Sequence, residues 1–296
     1  MTPNLIVMPT KIPQHIPEIP IYRTFKYATC SYDEKEFQEY LKEKEIRYSK
    51  LFQLKGYRTD HGDRILFEDD KYELEIYRPS DSFVLCDKKN RYRIEVPSES
   101  KLPTEKEASD IAVKKIKSLG LDTTNAKFKS VDYSMNYNEI GGKTETIKTE
   151  AHANFIFFLD KFRVFGPGAK IKISFIEDNR ISGILNFWRL PSAERHRIKT
   201  IAPEEALNRL AKYGGFNNLA PDKAQVILDK IELGYYSLPP MDFQRFMIPV
   251  YAIRGEVKSR VIHPYEFVRY VVASDMPFEN IKEMSVVDNP YHCGVI

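Results

Sequence analysis

FGPGAKIKISFIEDNRISGILNFWR, residues Phe165 to Arg189, decides how the rest of the chain is read. Ile171, Ile173 and Phe175 alternate with Lys170, Lys172 and Ser174, the period of a strand with one covered face. Gly166-Pro167-Gly168 reads as the turn that opens this strand, and Glu177-Asp178-Asn179-Arg180 as the turn that ends it. Ile181 to Trp188 reads as the returning strand, closing at the single tryptophan. Alternation on both sides of a polar turn predicts an antiparallel hairpin. Beyond Leu190-Pro191 a helix opens at Ala202-Pro203-Glu204-Glu205 and a second group of strands follows. The same order, helix and then strands, precedes the hairpin.

Working outward, that order recurs. Pro3, Pro9, Pro13, Pro17 and Pro20 make residues 1–20 an extended arm. Residues 21–100 hold a strand at 21–27, a Ser31/Glu34 capping box, and a helix with Phe37, Tyr40, Leu41 and Ile46 on one face. Short strands are predicted at Arg64–Phe67, Tyr72–Tyr77, Ser82–Cys86 and Arg91–Val96. Residues 101–190 open with a Thr104/Glu107 box and an apolar stripe of Ala108, Ile111, Ala112, Ile116 and Leu119, ended by Gly120. Strands at 127–137 and 148–160 and the hairpin follow. Residues 191–280 repeat the scheme, with Pro at the first helical position and strands near 225–237, 246–255 and 266–273. Residues 281–296 form a tail. Three occurrences at intervals of roughly 70 to 100 residues suggest duplication. The predicted class is α+β: repeated units of one helix packed on an antiparallel meander.

Composition excludes several roles. The 296 residues carry a net charge of +3, 29% are charged, and Lys and Arg are interspersed with Asp and Glu. No basic footprint for nucleic acid or anionic membrane results. No apolar run approaches the roughly 18 residues of a membrane helix, and Met1-Thr2-Pro3-Asn4 does not open a signal peptide. Cys30, Cys86 and Cys293 have no zinc spacing and leave one disulfide or three thiols open. The six histidines are scattered, without metal-ligand spacing, and neither a metal nor a cofactor is expected. Gly166 to Lys170 is not a phosphate loop, because Ile171 and a strand follow the lysine. Its glycines are read as supplying backbone angles other residues resist. The acidic turns Asp69-Asp70 and Glu177-Asp178 lack calcium-loop spacing. The C-terminal Cys293-Gly294-Val295-Ile296 matches a prenylation box only formally. No catalytic signature is present.

The helix start Ala202-Pro203-Glu204-Glu205-Ala206, the strand Ile231-Glu232-Leu233-Gly234-Tyr235-Tyr236 and the stretch Ile248-Pro249-Val250-Tyr251-Ala252-Ile253-Arg254-Gly255-Glu256 resemble a PepSY-type domain. Thr104–Leu119 with the strands at 147–188 is similar to a second, more divergent copy, so the resemblance covers residues 101 to 275. The N-terminal unit lacks the Pro-Glu-Glu-Ala start and stands outside it. Tandem PepSY-like units also occur in accessory proteins of envelope sensor kinases. The resemblance implies a non-enzymatic, exported protein acting by protein contact, through protease inhibition or envelope signalling. Such a protein is extracytoplasmic if a leader precedes this sequence, and cytoplasmic otherwise; membrane attachment would use a segment outside it.

Trp188, Arg189, Tyr235, Tyr236, Tyr251 and Arg254, with Phe243 and Phe246 nearby in sequence, form the candidate contact surface. Tyr, Trp and Arg are enriched at binding hot spots, and adjacent residues of a strand face opposite ways, which predicts that one of Tyr235 and Tyr236 is exposed. The plainer reading is that these aromatics cover the sheet beneath the helices. The partner expected is another protein: a protease, a sensor or an assembly partner. The arm is read as a spacer or an intramolecular clamp. A surface or assembly subunit pairing through its arm and edge strands is the alternative, and an enzyme built from scattered carboxylates and tyrosines the third.

Overall fold

A computed structural model describes residues 5–9, 11–24, 34–80, 82–90, 101–121, 124–140, 143–212, 224–259 and 263–275. Its elements, in chain order, are β1 (Leu5–Val7), β2 (Glu18–Arg23), α1 (Glu34–Leu51), β3 (Tyr57–Asp60), β4 (Arg64–Glu68), β5 (Tyr72–Tyr77), β6 (Phe83–Asp87), α2 (Glu105–Ser118), β7 (Ala126–Ile140), β8 (Lys143–Leu159), β9 (Phe162–Phe165), β10 (Ile171–Phe175) and β11 (Ile181–Asn186). They continue with β12 (Ser192–Lys199), α3 (Pro203–Lys212), β13 (Gln225–Tyr236), β14 (Ile248–Lys258) and β15 (Tyr265–Val272). The chain divides into two units. The larger is drawn from Thr24–Pro191 and Ser237–Arg245, the smaller from Met1–Arg23, Ser192–Tyr236 and Phe246–Ile296.

In the larger unit the hairpin is present as β10 and β11, paired from Ile171↔Asn186 to Phe175↔Ile181 around a turn in which Asp178 and Asn179 have positive φ. It lies inside a single antiparallel sheet ordered β7-β8-β10-β11-β6-β5-β4-β3, with β9 also pairing β8. This corrects the expected fold class. Fifteen strands accompany only three helices among the described residues, and the molecule is not a series of separate helix-on-meander units. The overturning contact is β6 against β11, Phe83↔Asn186 through Cys86↔Gly183, which fuses strands of the expected 21–100 and 101–190 units. The cause is edge closure. β11 satisfies the N–H and C=O groups along one edge of β6, the strand holding Phe83 and Leu85, and the strand expected at Arg91–Val96 lies outside the described residues.

Helix α1 buries Phe37, Leu41, Lys44 and Tyr48 along one stripe. Its expected Ser31 cap lies outside the described residues. Helix α2 carries the expected capping box: Glu107 N–H donates to Thr104 Oγ1 at 3.3 Å, and Thr104 N–H donates to Glu107 Oε2 at 2.9 Å. Gly120 leaves the helix at φ +64°. Ala108, Ala112 and Ile116 face β7 and β8, where Ala151 and Ala153 are fully buried. Small side chains on both surfaces let helix and sheet approach closely.

In the smaller unit α3 rests its Ala206, Leu207 and Leu210 against Val226, Leu228, Ile253, Val257 and Phe267 of the antiparallel β13-β14-β15 sheet. The described part of the N-terminal arm is a clamp on this unit. β1 runs parallel to β13, and β2 pairs antiparallel with β12. The β2–β12 register breaks between Ala193 and Arg197, beside Pro20, which has no N–H to give to the ladder. Thr200 N–H donates to Pro17 O at 2.9 Å, and Ile19 is fully buried. Of the three cysteines only Cys86, half-buried on β6, is described, so the disulfide question falls outside these residues.

Candidate functional site

The six residues singled out in the sequence are divided between the two units. Trp188 and Arg189 belong to the larger unit, Tyr235, Tyr236, Tyr251 and Arg254 to the smaller. All except Arg254 are buried. Trp188 stacks on Phe157 with ring centroids 3.8 Å apart and planes at 15°. Tyr251 Oη donates to Ile201 O at 2.9 Å, tying β14 to the entry of α3. Tyr235 Oη donates to Pro20 O at 2.6 Å and its ring meets Tyr22 edge-on, whereas Tyr236 meets Tyr270. Both sides of β13 are therefore covered at this point. Arg254 is half-buried on β14, its Nε without a hydrogen-bond partner among the described residues.

Arg189 organises the most distinctive surface of the larger unit. Its side chain is 1% exposed. Nη1 donates to Pro79 O at 3.0 Å, and Nη2 to Asp242 O at 2.7 Å, to Leu238 O at 3.4 Å and to Pro239 O. All four acceptors are main-chain carbonyls. Burial pulls the guanidinium down to about 10, opposed by the Asp242 charge, so it remains protonated at neutral pH. Ser80 Oγ donates to Pro240 O at 2.9 Å, and Lys44, buried on α1, donates to Tyr77 O at 3.4 Å and to Ser80 O. The turn after β5 and the segment 237–245 are thus fastened to one another through the buried Arg189 and the Ser80 hydroxyl, and Lys44 ties the same turn to α1.

The ends of the segment are fixed as well. Ser237 N–H donates to Phe165 O at 2.9 Å, Gly168 N–H to Ser237 O at 3.2 Å, and Thr24 N–H to Arg245 O at 3.0 Å. Gln244 folds back so that its Oε1 accepts from Leu238 N–H at 2.9 Å. Gly166, at φ +91°, has the backbone angle that favours glycine, but Gly168 is required for space instead. A Cβ there would lie 2.0 Å from Leu238 O and 2.4 Å from Ser237 Oγ. Gly168→Ala is expected to lose about 2 kcal/mol of stability and to speed proteolysis within 237–245. Unchanged urea midpoint and cleavage rate would show that the segment shifts without cost. On this anchored backbone Met241 and Phe243 are 46% and 45% exposed, with Asp242 exposed between them. Leu190, next to Arg189 in the chain, is also exposed. The sequence signal for this loop is modest: two prolines, then large apolar residues where a turn is ordinarily polar.

A second polar group lies across β7, β8, β10 and β11, on the sheet face opposite Ala151 and Ala153. His152 Nε2 is 2.7 Å from Ser134 Oγ and its Nδ1 is 2.9 Å from Ser174 Oγ. Glu150 Oε1 accepts from Ser182 Oγ at 2.8 Å, and its Oε2 is 3.9 Å from His152 Nε2. Two bulges shape the group, one making Ser182 the extra residue on β11 and the other Thr149 on β8. Burial, aided by Lys172 and opposed by Asp132, lowers the imidazole to about 4. The arrangement differs from a serine–histidine–carboxylate relay, in which the acid holds Nδ1 and the base titrates near neutrality. Here a hydroxyl holds Nδ1, and the carboxylate sits on the serine side. Its direct effect is to lace four strands together. Among the described residues no three His, Cys, Asp or Glu side chains converge to hold a metal ion.

No family model and no curated protein matches this sequence. Among solved structures, an uncharacterized protein from Eubacterium rectale ATCC 33656 is similar over 93% of this chain and 89% of that chain, at 10% identity and a TM-score of 0.45. That likeness assigns neither family nor activity.

Proposed function

We propose that this chain is a non-enzymatic binding protein of PepSY-like type that acts at the cell envelope by contact with another protein, through the loop Met241–Phe243. The observation that carries the reading is a fully buried arginine whose hydrogen bonds hold a loop displaying two large apolar side chains. Burying a guanidinium against carbonyls alone costs free energy that a polar, loosely held loop would not require. Preorganised apolar side chains lose little freedom on docking, which is what a contact surface needs. The helix α3 laid on the antiparallel β13-β14-β15 sheet supports the PepSY-like part.

A photo-crosslinking residue placed at position 243 is expected to give a discrete protein adduct in native cells, and one placed at the exposed Tyr57 is not. The adduct protein, purified, should bind the double variant Met241→Ser/Phe243→Ser at least about 30-fold more weakly than wild type. Equal binding, or adducts at both positions, would refute the contact surface. Protease digestion of the native protein in intact cells tests the envelope placement; complete protection would refute that part.

The assembly alternative has one observation in its favour: β7, 15 residues long, pairs only with β8 among the described residues. It also carries Lys129 as an extra, bulged residue, a device that discourages edge pairing. Sedimentation equilibrium over a hundredfold concentration range decides it, a constant monomer mass removing this reading.

A further inference from the structure

The loop's chemistry also defines the surface it fits. We infer that the partner protein offers an apolar pocket with a cationic side chain on its rim, taking Met241 and Phe243 into the pocket and Asp242 against the cation. The inference rests on the binding role proposed for this loop.

Three consecutive residues, apolar, acidic and apolar, are exposed at the loop's tip. The main chain under the middle one is fixed, because Asp242 O accepts from Arg189 Nη2. The carboxylate and its flanking side chains therefore leave a backbone of defined course, and a docking surface meets all three together. A pocket that took the two apolar side chains and faced Asp242 with apolar or acidic groups would desolvate a carboxylate that the buried Arg189 charge offsets only in part. A lysine or arginine at the rim supplies the missing charge and adds steering to the encounter. The same acid argues against a lipid surface, since anionic headgroups repel it at the point of insertion.

The test uses the full chain and the protein recovered from the position-243 adduct. Asp242→Asn should weaken binding several-fold and Asp242→Lys at least about tenfold. Wild-type affinity should fall with added salt more steeply than that of Asp242→Asn. Asp242 is exposed, and unchanged thermal melting of both variants shows that folding is intact. If both Asp242 variants bind like wild type while Met241→Ser/Phe243→Ser binds weakly, this inference is overturned and the binding role stands. If the apolar double variant also binds like wild type, both fail. Binding to phosphatidylcholine–phosphatidylserine vesicles, or self-association, that depends on Met241 and Phe243 would likewise overturn the inference.

Discussion

Arg189→Met is expected to lower stability by about 3–5 kcal/mol, read from the urea midpoint of the full chain at neutral pH. Methionine fills much of the arginine's volume, so lost packing contributes little. The cost comes from the carbonyls of Pro79, Leu238, Pro239 and Asp242, which lose their shared donor inside the larger unit. Each buried acceptor left without a partner costs about 1–3 kcal/mol, less where water reaches it. Arg189→Lys separates charge from geometry. An ammonium keeps the charge but is a single point with three donors, unable to span carbonyls of two separate turns. It should recover less than half of the loss. The Met241–Phe243 loop should become protease-sensitive in both variants, and partner binding should weaken although no contacting side chain has changed. A methionine variant within about 1 kcal/mol of wild type would mean that the loop is held by Ser80, Gln244 and Thr24 without the guanidinium.

What could be read in advance follows the range of each signal. Hairpin β10–β11, the Thr104/Glu107 box and the Gly120 exit are local, and alternation or cap chemistry states them directly. The pairing of β6 with β11 joins residues near 85 with residues near 185. Alternation says which face of β6 is covered but not which strand lies beside it, so the sequence reads as three repeated helix-on-meander units. Tyr235 and Tyr236 show the same limit. Opposite faces were inferred correctly from their adjacency, but exposure does not follow, because Tyr22 from the arm covers one side and Tyr270 from β15 the other. Arg189 reads in the sequence as a contact residue beside the tryptophan. Its inward course is not legible there, since the carbonyls it meets come from residues 79 and 238–242, separated from it by up to 110 positions. Phe243 is named in the sequence beside the candidate surface and Met241 is not, and the more strongly patterned strands around them are core.

His152 should make stability depend on acid in a defined direction. Its folded-state value near 4 lies below the ordinary imidazole value of 6.5, so the folded chain binds this proton less readily than the unfolded chain. The contribution is complete above about pH 6.5 and is lost as pH falls through 4, below which both states are protonated. A displacement of this size corresponds to about 3 kcal/mol. Carboxylates titrate over part of the same range, so the wild type alone does not isolate the effect. The gap in unfolding free energy between wild type and His152→Gln does, provided each pair is measured at one pH. That gap should narrow by about 3 kcal/mol between pH 7 and pH 4. The neighbouring charges act in opposing senses: Lys172 disfavours the imidazolium and Asp132 favours it. Lys172→Gln should therefore raise the imidazole midpoint seen by NMR, and Asp132→Asn should lower it. If the gap stays constant and the imidazole titrates near 6.5, water reaches the ring, and the Ser134–His152–Ser174 hydrogen bonds do not hold β7, β8 and β10 as a dry unit.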